Sequence, residues 1–243
     1  MDEKLYYLKY EDRYQKAYAA GAEHWGHFSD DVELIEILTK WVDEHNLRGK
    51  KIIEFACGEG ASGVILSRLG CIYHGIDIAP SAVEKAKNEL HNYPNASAEV
   101  LDMVNQKVNG HYDAALDVMG LHMLVTDDDR HKYLRHVFDS LSEGSPILFF
   151  RESFSAEWVE RNVGSFSEWK SISGSDYDTP EQRFVEHGNA KVEVLVPLVP
   201  ARAKNKEGYF AEMNEAGFVV DEFNEMATSN KISLSASIYA HKP

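Results

Sequence analysis

The feature that most restricts this chain is a strand that breaks into glycines and restarts as a helix. KKIIEFA reads as a short apolar strand, SGVILSRLG reads as a helix, and Gly58, Gly60 and Gly63 punctuate the passage between them. Glycine there lets the backbone adopt dihedrals that a Cβ resists and lets it approach a ligand closely. Alone, the Gly-x-Gly-x-x-Gly spacing is a weak signal. A strand before it and a helix after it remove most chance matches and favour a nucleotide-type cofactor site over a structural turn.

The alternation continues downstream. CIYHGID, SAEVLD, YDAALDVM and SPILFFRE read as strands, and APSAVEKAKNEL and DDDRHKYLRHVFDSLSEG as helices, with Pro80 in a first turn and Gly144 as a stop. Nearly continuous apolar strands separated by helices predict a parallel sheet covered on both faces. Upstream, a helix runs to about Ala20 with Tyr6, Tyr10 and Tyr14 on one face. A second helix is expected to start after Ser29, burying Leu34, Ile35, Leu38 and Trp41. From Ser153 to Thr179 no period is visible and an irregular cap is expected. EQRFVE and KVEVLVPL then flank the turn-like trio His187, Gly188 and Asn189, followed by a helix ending at Gly217 and the strands FVVDEF and ISLSASIYA.

At 243 residues the chain suits one α/β domain with a modest insertion. The expected architecture is Rossmann-like and doubly wound, with a mostly parallel seven-stranded sheet and an antiparallel last strand. It divides into an N-terminal helical lid (1–48), a cofactor-binding core (49–152), a substrate cap (153–200) and a C-terminal helix and hairpin (201–243).

Asp77 follows Gly58 at the spacing that puts an acidic side chain at the end of the second strand, where it can accept hydrogen bonds from two ribose hydroxyls. It can also cap the helix that begins near Pro80. An adenosine held in this way belongs to NAD and to S-adenosylmethionine alike, so these residues leave both open.

The wider set of motifs resembles the class I S-adenosylmethionine-dependent methyltransferases. The run from Glu54 to Gly60 is similar to their first motif and the run from Gly75 to Ser81 to their second. Leu101-Asp102-Met103 resembles their adenine-contacting pair, Tyr112 to Val118 with Leu121 to Leu124 their fourth-strand motif, and Leu141 to Gly144 the turn before their fifth strand. Ala56 departs from the pattern, standing where the family often has Gly. The resemblance implies S-adenosylmethionine as cofactor, Glu54 near its methionine end, Asp102 at the adenine amino group, and Asp117 or Val118 on the cofactor floor. Ala56, Cys57, Gly58, Gly60, Asp77, Ile78 and Met103 complete the expected cofactor wall, and Trp25, flanked by His24 and His27, falls where such enzymes place a lid helix.

A sulfonium methyl is already activated, so a base is needed only for an acceptor protonated at working pH. His122, at the exit of the fourth strand, is the candidate base. His122, Arg151 and Glu152 are also candidate substrate contacts, because ligands sit at the carboxyl ends of parallel strands. Trp158, Phe166, Trp169, Tyr177, Arg183 and His187 suit either a pocket wall or a core.

Forty acidic against 25 basic side chains give a net charge of -15, which disfavours nucleic acid and anionic membranes and leaves a small-molecule acceptor as the expected partner. Cys57 and Cys71 are the only cysteines, and the N-terminal run lacks the apolar core of a signal peptide, so a cytoplasmic setting is expected. No metal-ligand spacing or serine-hydrolase elbow occurs. Two alternatives stand beside methyl transfer. One is an NAD(P)-dependent oxidoreductase, weakened by a glycine motif that follows two helices. The other is a non-catalytic protein that binds an adenosine cofactor on the same fold.

Overall fold

In the computed structural model, which describes residues 3–187, 190–227 and 234–243, strand β1 (Lys51–Phe55) lies at the centre of a seven-stranded sheet. Around it are β2 (Ile72–Asp77), β3 (Ala96–Val100), β4 (Ala114–Val118), β5 (Pro146–Ser153), β8 (Val219–Ala227) and β9 (Leu234–His241), in the order β3-β2-β1-β4-β5-β9-β8. Pairings from β3 through to β5 are parallel, while β9 runs antiparallel between β5 and β8. This is the expected doubly wound, mostly parallel seven-stranded sheet, with the last strand, β9, antiparallel to both of its neighbours. Strands β6 (Glu181–His187) and β7 (Ala190–Val196) form a separate antiparallel hairpin. Gly188 and Asn189 of the anticipated turn lie outside the described residues.

The strand alternation produces two cores. Ile52, Leu116 and Leu148 face α2 (Val32–Glu44), α3 (Ala61–Arg68) and α4 (Pro80–Leu90). Their neighbours Ile53, Ala115 and Ile147 face α5 (Asp127–Ser140) and α7 (Lys206–Ala216). Each fully buried aliphatic side chain contributes roughly 1.5–3 kcal/mol, so side chains on both faces of the sheet hold the helices against it. A third, smaller core joins Ala17 of α1 (Lys9–Ala19) and Ala22 to Val185, Val194 and Val196 of the hairpin, with Trp25 packed against it. The N-terminal lid and the cap therefore share one apolar seam.

Local departures from expectation have local causes. Asp31, not Ser29, caps α2, its side chain accepting from Leu34 N at 3.1 Å, and Ile35 is only half-buried. Tyr6 sits in a 3₁₀ turn (Glu3–Leu8) ahead of α1, because the helical path breaks at Leu5; Tyr10 and Tyr14 remain on α1. Helix α5 ends at Ser140, and Gly144 instead makes the positive-φ turn (φ 75°) into β5. The cap contains one helix, α6 (Phe166–Ser173). It is nucleated by Ser165, which accepts from Glu168 N, while Glu168 reaches back to Gly164 N, and it is stopped by Gly174 in the left-handed region. Eight residues are too few to display a helical period in sequence.

Gly63 lies inside α3, where Ala would ordinarily be favoured by up to about 1 kcal/mol. A Cβ there would stand 2.4 Å from Cε1 of buried Tyr73, so steric conflict outweighs propensity. Gly63→Ala is expected to destabilise the protein by about 1–3 kcal/mol, read as a lower urea midpoint at unchanged slope. A midpoint that rises would show that α3 and β2 have slack between them.

Candidate active site

The first helix-forming turn after β1 is built on left-handed residues: Ala56 has φ 56°, Gly58 φ 51° and Gly60 φ 83°. Gly60 caps α3 and lies so close to α4 that a Cβ would meet that of Ala86 at 3.0 Å. The Asp77 carboxylate clamps this turn. One oxygen accepts from Gly58 N at 2.8 Å and the other from Ala79 N at 2.9 Å, so the glycine loop and the start of α4 hang on one side chain. Of the two roles weighed for Asp77, the side-chain cap of α4 is not made, since Ala79 is the N-cap and Asp77 holds only its N–H; the ligand-acceptor role is open to it, since each oxygen keeps a second lone pair.

These strand ends open on a cavity of about 610 Å³. Its wall brings together most of the anticipated cofactor set: Glu54, Ala56, Cys57 and Gly58 from β1 and its turn, Asp77 and Ile78 after β2, Asp102 and Met103 after β3, Val118 from β4, and Trp25 from the lid. Glu54 is buried and accepts hydrogen bonds from Tyr73 and Ser62. Burial dominates and pushes its carboxyl up to about 8. Burial also raises the Asp77 carboxyl, against the opposing effect of the backbone N–H groups it accepts. Asp102 ends in a tight turn, accepting from Val104 N and Asn105 N, with the Tyr7 hydroxyl 3.4 Å from its Oδ2.

Other anticipated residues are placed elsewhere. Gly60 shapes the turn without lining the cavity. Asp117 is fully buried behind the wall, accepting from Gly120 N and the Tyr133 hydroxyl, each at 2.6 Å. Burial and then Glu152 hold its carboxyl well above the usual range. His122 is likewise absent from the wall. Its backbone N–H and Nδ1 both meet Glu152 Oε2, at 2.7 and 2.9 Å, in a site where His122 is 3% exposed. The substrate-contact expectation for Arg151 and Glu152 is corrected in the same way. Arg151 grips Asp31 and Glu33 at the start of α2, Glu152 meets His122 through Oε2 while its Oε1 is buried without a partner, and neither residue lines the cavity. Phe166, Trp169 and Tyr177 belong to the core, Trp158 packs against it, and Arg183 lines the cavity.

The residue that sequence reading missed is Glu59. Its carboxylate accepts from Trp25 N at 3.0 Å, from Gly26 N at 2.5 Å and from the Tyr18 hydroxyl at 2.7 Å, fastening the lid to the glycine turn. Its only signal was a charged residue between two loop glycines. Tyr7, Arg13, Met119 and Phe184 also line the cavity without having been singled out for it.

A doubly wound sheet of this order, with an acidic set at the ends of β1, β2 and β3, is the architecture that solved S-adenosylmethionine-dependent methyltransferases share with this chain, which carries a methyltransferase domain. Residues 52–144 match a family model described as a methyltransferase domain. The ubiquinone biosynthesis O-methyltransferase of Shewanella sp. (strain ANA-3) is 25% identical over 170 residues, a match that spans 64% of this chain and 65% of that protein. Among solved structures, an S-adenosylmethionine-dependent methyltransferase from Clostridium acetobutylicum ATCC 824 superposes with a TM-score of 0.65 at 15% identity, covering 97% of this chain and 98% of that one. The magnesium protoporphyrin IX methyltransferase from Synechocystis PCC 6803, with bound SAH, gives 0.64 at 16%, covering 99% and 100%. At such identities the structural likeness speaks for the fold. These matches favour methyl transfer over the oxidoreductase alternative.

The raised Glu54 carboxyl makes stability pH-dependent. The folded protein keeps this proton up to about pH 8, whereas an unfolded chain releases it near the ordinary carboxylate value of about 4.3. Between those limits the native state binds more protons, so the Glu54 contribution to stability is lost as pH rises. Glu54→Gln is expected to flatten the fall in denaturation midpoint from pH 5 to 8 relative to the parent. Parallel pH profiles for the two proteins would show that Glu54 is ionised throughout.

Proposed function

We propose that this chain transfers the methyl group of S-adenosylmethionine to an oxygen, nitrogen or sulfur atom of a small-molecule metabolite, in a cytoplasmic setting. The observation that carries the reading is the buried Glu54 carboxyl in the cavity wall, with Asp77 and Asp102 at the neighbouring strand ends. Such a wall gains from a ligand with positive charge at one end and opposes the pyrophosphate of a dinucleotide. The turn fits close approach as well, since a Cβ on Gly58 would stand 3.1 Å from the Tyr14 hydroxyl, in space the ligand and α1 share.

When bound, the sulfonium cofactor supplies a methyl carbon already activated for displacement. The chain's own work is then binding, alignment and exclusion of water. Glu54 balances positive charge at the methionine end, Asp77 accepts from ribose hydroxyls, and Asp102 meets the adenine edge beside Met103. Trp25, held by Glu59, closes the lid side. His122, held by Glu152 at Nδ1 and not among the cavity-lining residues, is assigned the ordering of the β4 exit and not the role of base. Among the described residues no helix is long and apolar enough to cross a membrane, which is compatible with a freely diffusing acceptor.

Calorimetry is expected to show S-adenosylmethionine and its demethylated product binding, with NAD and NADP much weaker; tight NAD binding without sulfonium-cofactor binding overturns the reading. Because a positive ligand favours ionised Glu54, binding near pH 7 is expected to release a proton. Titrations in two buffers of different ionisation enthalpy measure that release, and Glu54→Gln is expected to abolish it. Labelled-methyl turnover with a metabolite mixture separates an enzyme from a non-catalytic cofactor binder.

A further inference from the structure

One side of the cavity carries the opposite charge. Arg13 of α1 and Arg183 of β6 both line it, and both pair with a single carboxylate. Arg13 Nη2 meets Glu181 Oε1, and Arg183 Nη2 lies 2.7 Å from Glu181 Oε2. Among the described residues Glu181 is the only carboxylate paired with either, so two guanidiniums share one negative charge and a unit of positive charge is left over. The Arg13 side chain is 12% exposed, its Nε is buried without a hydrogen-bond partner, and its guanidinium lies 5.3 Å from the Trp25 ring centroid. In a chain of net charge -15, a surplus of positive charge facing a cavity otherwise edged by Glu54, Glu59, Asp77 and Asp102 is a local arrangement, the Glu59 carboxylate being taken up by Trp25 N, Gly26 N and the Tyr18 hydroxyl.

We propose that the wall formed by Arg13, Arg183 and Trp25 binds the acceptor, and that the acceptor is a small aromatic molecule bearing a carboxylate. This rests on the methyltransferase reading above and names its substrate class. An incoming carboxylate supplies acceptors to a partly desolvated guanidinium whose own counter-ion is divided, and charge-assisted bonds of this kind are about twice as strong as neutral ones. The Trp25 ring and the half-buried Tyr10 offer apolar faces to the body of such a ligand. Burial lowers the Arg13 pKa, with Glu181 opposing and Arg183 adding to the fall, so a second anion relieves repulsion between the two arginines. The same polarity sorts the two ligands: the donor's positive end is drawn to the strand ends, and the acceptor's negative end to α1 and β6.

The test is calorimetric titration of the protein saturated with S-adenosylhomocysteine. The probes are benzoate, phenylacetate, hydroxybenzoate and indoleacetate, each paired with its neutral carboxamide. At least one acid is expected to bind about tenfold or more tightly than its amide, a difference of about 1.4 kcal/mol. Arg183→Gln, at an exposed position, is expected to cut that preference to about threefold while S-adenosylhomocysteine affinity stays within about twofold, and Arg13→Gln is expected to remove the preference. Amides binding as well as acids, no acid binding up to millimolar concentration, or a preference untouched by both substitutions each overturns the proposal. If S-adenosylhomocysteine itself does not bind, the methyltransferase reading fails instead, and the same acid-to-amide preference, measured on the protein alone, still decides whether this wall is an anion site.

Discussion

The bridge made by the Asp77 carboxylate is the interaction on which the site depends. A buried carboxylate with two backbone N–H partners is stabilised only while both are present, and removing it leaves both donors without a partner at a cost of about 1–3 kcal/mol each. Here those donors belong to different elements, Gly58 in the turn after β1 and Ala79 at the start of α4. One side chain thereby ties the glycine turn to the start of α4 where the strand ends open on the cavity. On the proposed function the same carboxylate would receive a ribose while holding the backbone beside it, so that the ligand role and the structural role would be one geometry.

Above the strand ends, the roof is assembled from segments far apart in sequence. Glu59 joins the lid to the glycine turn, Arg13 joins α1 to β6 through Glu181, and Tyr10 donates to Pro200 O at 2.9 Å. The small core of Ala17, Ala22, Val185, Val194 and Val196 lies at the same junction. It is thin beside the two cores that flank the sheet, so lid and cap are the least expensive parts of the molecule to separate.

What could be read from sequence was whatever depends on short, fixed spacing. The strand-glycine-helix passage, Asp77 at the end of β2 and Asp102 after β3 each follow from position along one strand and the turn it enters, and the structure gathers them on one wall. Asp117 and His122 were harder, because their direction depends on how the chain leaves β4. Met119 takes φ 65° there, and Gly120 has no room for a Cβ, with Asp117 Oδ1 at 2.6 Å and the Ala56 Cβ at 2.7 Å. That twist sends both polar side chains inward, to Tyr133 and Glu152, and leaves Val118 and Met119 on the wall. Glu59 and Arg13 were illegible for a different reason: their partners lie 34 and 168 residues away, and no local period encodes such pairings.

Strain in the backbone is concentrated at the same place. Outside glycine, positive φ occurs among the described residues at Asn46, Ala56, Met119 and Arg151, and three of these four stand at the carboxyl ends of β1, β4 and β5. Each such residue costs on the order of 1–3 kcal/mol and persists only where its surroundings enforce it. The enforcement is visible in each case. The Ala56 Cβ closes against the site of Gly120, Met119 Sδ lies 3.0 Å from His27 Nε2, and the Arg151 side chain is gripped by Asp31 and Glu33 where β5 shifts register against β9. Two of the three restraints come from the lid and the start of α2 and not from the sheet. The shape of the strand ends is therefore maintained partly by the segment that covers them, and loosening that segment relaxes the wall it covers.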